Sequence, residues 1–358
     1  MIKLNSFESS LIIAKIQSVC YNIRMAMTND RKSAIKKLKL LTYNSKSNVE
    51  VFRKKMDEAF SVAILPNRVE RSYHEYGGIK CDILSPEIYA SNRVMIYIHG
   101  GCFAGGSPTV YENFCSSLAT KCFCRVIIPD FRLAPEHPYP AAIEDIQSVF
   151  RAVFTEEQIN SALNTEKGEK TALPEIIIAA DGSGASILCA LIFNLRDRYR
   201  NCIKQLLLFS PWLNLSQDSK LLTQRKVSDE VMTGDVLRRG SSDYTFSQNT
   251  QIPFVSPILA EDDQLRHFPP VFIQMGEKEI LLEDAKTFRK RMYSLGNKCE
   301  IDVWDDMMFM FQMCDEFLYE SHLALDKVGK VITEVSVTQE AIQIENKPKL
   351  EHSIHIDA

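Results

Sequence analysis

Short continuous apolar runs recur along the central part of the chain, each bounded by polar residues or turn formers. Runs of this kind are typical of strands that are buried on both faces of a sheet. The predicted strands are Lys80–Leu84, Arg93–His99, Cys124–Pro129, Glu175–Ala180, Gln205–Ser210, Val271–Met275 and Cys299–Trp304. The pattern therefore predicts a sheet whose strands lie largely in the interior of the protein.

Helical patterns separate several of these strands. The segment Ala141–Phe154 carries apolar residues at helical spacing and follows Pro140, a residue favoured at helix starts. The segment Ile187–Leu195 is apolar nearly all round, as expected of a helix packed beneath a sheet. Strands that alternate with helices of this length predict an α/β fold, with a mostly parallel central sheet flanked by helices on both faces.

Three segments depart from this alternation. Residues 1–62 have helical apolar spacing and precede the first predicted strand. Residues 215–246 are polar with a helical tendency, and they interrupt the alternation like an insertion. Residues 331–358 are charged and poorly periodic, so we expect a loosely ordered polar tail there. The main domain is accordingly predicted to span residues 63–330.

Composition and charge exclude several classes of function. The chain has 358 residues and a net charge of −4, so it offers no basic footprint and no nucleic-acid partner is expected. The longest early apolar run, Leu11–Ala14, is far shorter than a signal peptide core or a membrane span, which predicts a cytoplasmic protein without a membrane span. One local basic stretch is interpreted as a solvated face: Lys32, Lys36, Lys37 and Lys39.

Ten cysteines raise the question of disulfides or a metal site. Cys122 and Cys124 lie in an apolar run, the chain has no CxxC pair, and no histidine stands at ligand spacing from a cysteine. We therefore predict free, buried thiols in a reducing compartment. Neither a metal nor a cofactor is expected.

Four long motifs occur in a fixed order. They are Tyr97–Ser107 (YIHGGCFAGGS), Asp130–Ala142 (DFRLAPEHPYPAA), Phe209–Leu215 (FSPWLNL) and Val255–Ala260 (VSPILA). In this order the chain resembles the hormone-sensitive-lipase branch of the α/β-hydrolases, a family of carboxylesterases and lipases, over roughly residues 75–320. The resemblance implies an α/β-hydrolase fold, with residues 1–62 and 215–246 forming a helical cap over the active site.

Ester hydrolysis on this fold needs a nucleophilic hydroxyl on a strand-to-helix turn, an imidazole that takes its proton, and amides aimed at the oxyanion. The resemblance identifies His99, Gly100, Gly101 and Cys102 with the family's HGGG oxyanion loop. A cysteine retains its backbone amide, so this loop can remain functional. The amide of Ser183, which follows the nucleophile position, completes the predicted oxyanion or ligand-binding set.

The nucleophile elbow departs from the family pattern. Where the family has Gly-Asp-Ser-Ala-Gly-Gly, this chain has ADGSGA at residues 180–185, so the nucleophile position holds Gly182. Sliding the frame would make Ser183 the nucleophile, but Asp181 and Ala185 would then stand where the turn needs glycine. We therefore prefer the register with Gly182 and keep Ser183 as an alternative nucleophile.

The other two triad positions differ in how much they retain. The acid position holds Glu279, which is an acceptable substitute because either carboxylate can orient an imidazole. The histidine position holds Phe309, and the next histidine is His322, in the following predicted helix. The sequence thus predicts a triad that has lost both its nucleophile and its base.

These losses favour a catalytically impaired esterase relative, a pseudo-esterase whose capped pocket binds an acyl-like or hydrophobic small molecule or a partner. Two alternatives stay open at this point. One is a weak or rewired carboxylic-ester hydrolase that uses Ser183 or Cys102 as its nucleophile. The other is a structural or interaction protein with a filled pocket. A protein partner or a homo-oligomer is compatible with each of them.

Overall fold

The computed structural model describes residues 30–62, 64–65, 68–90, 93–163, 174–216 and 229–345, with side chains described up to residue 334. Its strands are β1 (Val69–Tyr76), β2 (Ile79–Pro86), β3 (Arg93–Ile98), β4 (Arg125–Pro129), β5 (Glu175–Asp181), β6 (Ile203–Phe209), β7 (Val271–Gly276) and β8 (Cys299–Trp304). The seven predicted strands are therefore present, with bounds shifted by a few residues at most.

The helices follow the same alternation. They are α1 (residues 30–38), α2 (Val49–Phe60), α3 (Pro108–Cys122), α4 (Ala141–Leu163), α5 (Gly184–Asn194), α6 (Asp197–Arg200), α7 (Gly234–Tyr244), α8 (Asp262–Leu265), α9 (Leu282–Ser294) and α10 (Tyr319–Glu345). Short 3₁₀ turns lie at Lys39–Leu41, Ser247–Gln251, Pro257–Leu259 and Phe311–Met313.

The strands form one sheet of eight strands in the order β1-β2-β4-β3-β5-β6-β7-β8. The pairs β1·β2 and β2·β4 are antiparallel, and every other pair is parallel. This arrangement confirms the predicted α/β class. Because the parallel strands point the same way, the loops after β3, β5, β6, β7 and β8 meet at one edge of the sheet.

Helix α5 shows why the apolar pattern predicts the core well. Its residues from Gly184 to Ile192 are all buried, and the helix follows the central strand β5 directly. Strand β1 shows the opposite case, because the six residues between Val69 and Tyr76 are exposed and the sequence pattern therefore missed it. An edge strand with both faces solvated has no apolar signature to detect.

Part of the segment predicted as a loose tail from residue 331 is helical. Helix α10 continues to Glu345, and Val328 and Ile332, one turn apart, are both buried. The segment contains no glycine or proline before Lys347 to end the helix, so the packed turn propagates past the predicted boundary. The rest of the predicted tail, from residue 346, lies outside the described residues, as do residues 1–29 and 217–228.

Two segments lie over the loops that follow β3 and β6. The first, residues 30–60, contains α1 and α2, and the second, residues 229–246, contains α7. We call them the covering segments. In the part of the chain that is described, none of the helices has the length and apolar character needed to cross a membrane.

Candidate active site

The turn between β5 and α5 has the geometry of a nucleophile elbow. Gly182 has φ +44°, in the left-handed region that favours glycine, whereas Ser183 is helical at φ −68° and ψ −26°. The Gly182 amide donates to the carbonyl of Phe209 at 3.0 Å, and the Gly182 carbonyl accepts from the amide of Trp212 at 2.9 Å. Both backbone groups are thus fixed, one by Phe209 at the end of β6 and the other by Trp212 in the loop after it, and Gly182 is the residue at the tip of the turn.

Phe309 faces this tip from the loop after β8. A Cβ atom placed on Gly182 would lie 3.2 Å from Cζ and 3.7 Å from Cε2 of the Phe309 ring. The ring itself is 3% exposed, so it belongs to the core and does not line an open pocket. The two positions that the resemblance assigns to nucleophile and histidine are therefore neighbours in space, and the space beside the tip holds an aromatic ring.

Glu279 lies in the loop after β7, close to the same point. Its Oε1 accepts from Ser210 Oγ at 2.8 Å and from the Gly276 amide at 2.5 Å. Ser210 Oγ in turn accepts from the Met310 amide at 3.1 Å, which connects Glu279 to the residue after Phe309. The acid position is thus tied to the histidine position through one hydroxyl, a link that no sequence pattern indicated.

The second carboxylate oxygen of Glu279 is buried and has no hydrogen-bond partner among the described residues. Burial raises the pKa of Glu279 well above its usual range, and the nearby charge of Asp229 adds to this rise. In a working triad, the corresponding oxygen would accept from an imidazole N–H.

Asp229 joins the second covering segment to the acid loop. Its carboxylate accepts from the amides of Val231 and Met232, each at 2.9 Å, and from the amide of Ile280 at 3.0 Å. Burial raises the pKa of Asp229 to about 6. Sequence analysis missed this residue, because nothing in the polar stretch around it distinguishes it from a surface aspartate.

The oxyanion loop after β3 keeps a strained, glycine-rich backbone. Gly101 has φ +93°, and Cys102 and Phe103 follow at +56° and +63°. Two consecutive non-glycine residues in the left-handed region cost energy, and such strain persists where the surroundings hold it in place. The predicted residues Gly101 and Cys102 therefore sit in a loop whose shape is imposed by its neighbours.

Asp181 is the main anchor of this loop. Its Oδ1 accepts from the Gly100 amide and from Tyr97 Oη, each at 2.8 Å, and its Oδ2 accepts from Tyr111 Oη at 3.0 Å. A Cβ on Gly100 would collide with this carboxylate, which explains the glycine. Burial raises the pKa of Asp181, and this effect exceeds that of the three hydrogen bonds, which lower it, so the resulting pKa is about 6. Tyr111 was not recognised from sequence as part of the site.

Ser183 and His99 take supporting positions. Ser183 Oγ accepts from the Phe103 amide at 3.0 Å, which ties the elbow to the oxyanion loop. His99 Nδ1 lies 3.0 Å from the Gly100 carbonyl, and the ring stacks on Phe131 at a centroid distance of 4.3 Å. Burial lowers the pKa of His99 to about 4, so its imidazole is neutral at physiological pH.

Cys102 is poorly placed to act as a thiolate. It is 3% exposed, and burial raises the pKa of its thiol to about 12. The nine described cysteines are all buried and carry free thiols. Within the described ranges, no group of three histidine, cysteine, aspartate or glutamate side chains is arranged to hold a metal ion.

The covering segments rest directly on this loop. A Cβ on Gly240 in α7 would lie 3.1 Å from the Trp212 ring and 3.2 Å from the Cys102 carbonyl. The Tyr244 ring stacks on Phe103 with centroids 3.8 Å apart. From the other side, the Phe52 ring of α2 fills the space next to Gly105. The predicted oxyanion residues are consequently buried beneath both segments.

Comparison with known proteins agrees with this fold. A family model described as the alpha/beta hydrolase fold matches residues 95–313. An esterase from Acinetobacter venetianus is 31% identical over 249 residues, which cover 69% of this chain and 77% of the relative. An acetyl-hydrolase from Streptomyces hygroscopicus is 27% identical over 237 residues, covering 66% of this chain and 74% of the relative.

Solved structures show the same architecture. The crystal structure of an esterase from the bacterial hormone-sensitive lipase family aligns with a TM-score of 0.74 at 23% identity, over 86% of this chain and 98% of that one. A hormone-sensitive lipase from a metagenome library aligns with a TM-score of 0.69 at 25% identity, over 85% and 98% of the two chains. This chain belongs to the hormone-sensitive-lipase-like family of α/β-hydrolases.

Proposed function

We propose that this protein is a catalytically impaired member of its family, which acts by binding a small molecule or a partner beneath or between its covering segments. One observation carries the proposal: the Phe309 ring occupies the space beside Gly182, with Cζ 3.2 Å from where a side chain at residue 182 would begin. In an active esterase, the side chains of the serine nucleophile and its histidine base would both have to fit into this space between residues 182 and 309. Neither a hydroxyl nor an imidazole is present at these positions.

The expected loss of rate is large. In a well-studied serine protease, removing the triad serine or histidine lowers kcat by about 10⁶-fold, and what remains comes from oxyanion donors and substrate binding. Glu279 has no imidazole to orient at the aligned histidine position. Its raised pKa and its unpartnered oxygen are in keeping with an acid that has lost its partner.

Weak ester hydrolysis is the second candidate, because the relatives are named as an esterase and an acetyl-hydrolase. Ser183 and Cys102 are the available nucleophiles. The Ser183 hydroxyl is engaged by the Phe103 amide, and the Cys102 thiol has a pKa of about 12, so both lack the activation that a nucleophile needs. We therefore rank this function second.

The third alternative, a filled pocket, applies to the space immediately around the triad positions. Phe309, Ser183 and Cys102 are each at most 3% exposed. A cleft of about 550 Å³ nevertheless lies further out, between the covering segments, and includes Tyr43 and Val236 in its lining. Clefts of this size are ordinary for small-molecule sites. We therefore place the proposed binding in the covering region and not at the elbow.

The decisive experiment restores the two missing groups. Wild type and the double variant Gly182→Ser with Phe309→His are assayed with p-nitrophenyl acetate and p-nitrophenyl butyrate. We expect no turnover by wild type and an increase in kcat/KM for the double variant, because the elbow and the oxyanion loop are retained. The matched control is Gly182→Ala with Phe309→His, which makes the same backbone change without a hydroxyl.

The outcomes separate the candidates. Turnover by wild type that Ser183→Ala or Cys102→Ala abolishes would contradict the proposal and establish the weak esterase. Activity in the alanine control equal to that of the serine variant would show that the restored hydroxyl is not the nucleophile. Circular dichroism of each variant establishes that the compared proteins are folded.

A further inference from the structure

The cleft between the covering segments has a charged rim. Lys39, Lys46 and Lys55 line it and are exposed, and no aspartate or glutamate is among its lining residues. Among the described residues, none of these three lysines forms an ion pair with a carboxylate. Three ammonium groups of one sign around one opening favour an anion there.

Two acidic residues of the second covering segment are engaged by groups of the first. Asp235 accepts from the amide and hydroxyl of Ser45. Asp243 accepts from Tyr43 Oη and from Arg239 Nε. These contacts hold the two covering segments together on either side of the cleft. Neither of these two carboxylates is among the residues that line the cleft.

The lining of the cleft is partly polar and partly apolar, and we call its apolar part the floor. The floor is lined by Leu40, Val51, Phe52, Val231 and Val236, side chains that come from both covering segments. Val51 is 50% exposed although it is an aliphatic residue on a well-formed helix. An exposed valine beside other apolar residues and beneath a charged rim is a surface that an alkyl chain can cover.

The cleft is separate from the triad positions. Gly182, Ser183 and Phe309 are not among its lining residues. Its floor residue Phe52 stacks on Tyr43, with ring centroids 4.6 Å apart, and packs against the oxyanion loop from above. A ligand in the cleft would therefore lie on the outer side of this aromatic floor.

We propose that this cleft binds an anionic amphiphile, with its carboxylate or phosphate at the lysine rim and its alkyl chain on the apolar floor. The inference deepens the proposed binding role and rests on it. It is nevertheless tested by binding alone, so it can fail while the hydrolysis assay gives the expected result. The ammonium groups supply charge-assisted hydrogen bonds, and the exposed Val51 and the half-buried Leu40 supply apolar area.

Titration calorimetry with dodecanoate, dodecyl phosphate and dodecanol, each below its aggregation concentration, tests both halves of the site. We expect saturable binding of at least one anion with one site per chain, and binding of dodecanol weaker by about tenfold or more. The preferred anion identifies the head group as carboxylate or phosphate. Equal affinity for dodecanol, or no saturable binding of either anion, would overturn the proposal.

Two triple variants locate the site. Replacing Lys39, Lys46 and Lys55 by glutamine should weaken binding of the anion by about tenfold or more and remove most of its salt dependence. The matched control replaces Lys32, Lys36 and Lys54, which are exposed and outside the cleft, and removes the same charge. Binding that survives the first triple, or that falls equally in the control, would contradict the assigned site.

Discussion

The oxyanion loop and the triad positions lie side by side but have changed to very different degrees. In the loop, His99, Gly100 and Gly101 match the family's HGGG pattern and Cys102 replaces its last glycine, while the buried carboxylate of Asp181 holds the Gly100 amide at 2.8 Å. At the triad positions, only Glu279 retains a group of the expected chemistry. Gly182 and Phe309 replace the other two with a hydrogen atom and an apolar ring.

This difference teaches that the elbow can adopt its backbone conformation with glycine at the position where the family has serine. Gly182 still has φ +44°, and its backbone groups are bonded to the end of β6 and to the loop after it. A non-glycine residue in such a conformation costs about 1–3 kcal/mol, which glycine avoids. Phe309 adds buried apolar area beside it. The fold alone therefore does not establish the function, and the site must be judged from its own residues.

The largest expected effect comes from placing a side chain at the elbow. Gly182→Ala should lower the free energy of unfolding by about 1–3 kcal/mol. The backbone at residue 182 is in the left-handed region, which is unfavourable for alanine, and the added Cβ contacts the Phe309 ring. The matched control is Gly296→Ala, where φ is +78° but no heavy atom lies within 4 Å of the added Cβ. Urea denaturation of both variants measures the difference.

A double-mutant cycle with Phe309→Leu isolates the contact between residues 182 and 309. In Phe309→Leu, the Cζ and Cε2 atoms that face residue 182 are removed. Adding Gly182→Ala there should cost less than in wild type, with a coupling energy of about 0.5 kcal/mol or more. If alanine at 182 costs the same in both backgrounds, the ring does not constrain the elbow, and the main observation behind the proposed function loses its force.

A smaller effect is expected at Glu279, and it depends on pH. Since burial raises the pKa of Glu279, the folded state binds its proton more tightly than the unfolded state does. This contribution to stability is therefore present at low pH and is lost as pH rises from the unfolded value of about 4.5 through the raised folded value. Glu279→Gln removes it, so the variant should gain stability relative to wild type as pH rises.

Urea denaturation at several pH values between 4 and 9 measures this slope for wild type and Glu279→Gln. The matched control is Glu70→Gln, the same substitution at an exposed position on the edge strand β1, which should leave the slope unchanged. Buried acids that do not interact with Glu279, such as Asp82 on β2, titrate in both proteins, so they cancel in the comparison. Parallel curves for wild type and Glu279→Gln would mean that this carboxyl titrates as an ordinary solvated group.

Much of the fold could be predicted, because its signals are local. Buried parallel strands such as β3 and β5 leave continuous apolar runs, and helices such as α5 leave an apolar surface. Strand β1 carries no such signal, and the polar, poorly periodic residues after 331 did not indicate that α10 continues. Motif order was sufficient to place the elbow and the oxyanion loop at the same edge of the sheet.

The surroundings of the candidate site could not be predicted in the same way. The hydrogen bond from Ser210 to Glu279 joins residues 69 positions apart, and that from Ile280 to Asp229 joins residues 51 apart. Neither serine nor aspartate in a loop indicates a specific distant partner. Only the folded chain brings these groups together, and it does so in a buried environment that changes their pKa values.

The smallest effect is expected on the oxyanion side, at the ion pair between Arg53 and Glu136. Arg53 donates from Nε to the Ala104 carbonyl at 2.7 Å and from Nη2 to the Ala134 carbonyl at 2.9 Å, so it clamps α2 onto the loop independently of the pair. Glu136 is about half exposed, and its two oxygens accept from Arg53 at 3.0 and 2.6 Å. Exposed pairs contribute about 0.2–1 kcal/mol, and salt screens them.

Glu136→Gln should therefore lower the free energy of unfolding by less than Arg53→Ala does, because Arg53→Ala also removes the hydrogen bonds to the carbonyls of Ala104 and Ala134. The hydrogen bonds from Arg53 lower the pKa of Glu136, so its contribution is present above the unfolded pKa and is lost as pH falls, the opposite sign to Glu279. Denaturation at low and high salt measures both effects, with Glu58→Gln in the looser Lys54 pair as control. A larger loss for Glu136→Gln than for Arg53→Ala would show that the charge pair, and not the carbonyl clamp, holds the covering segment on the loop.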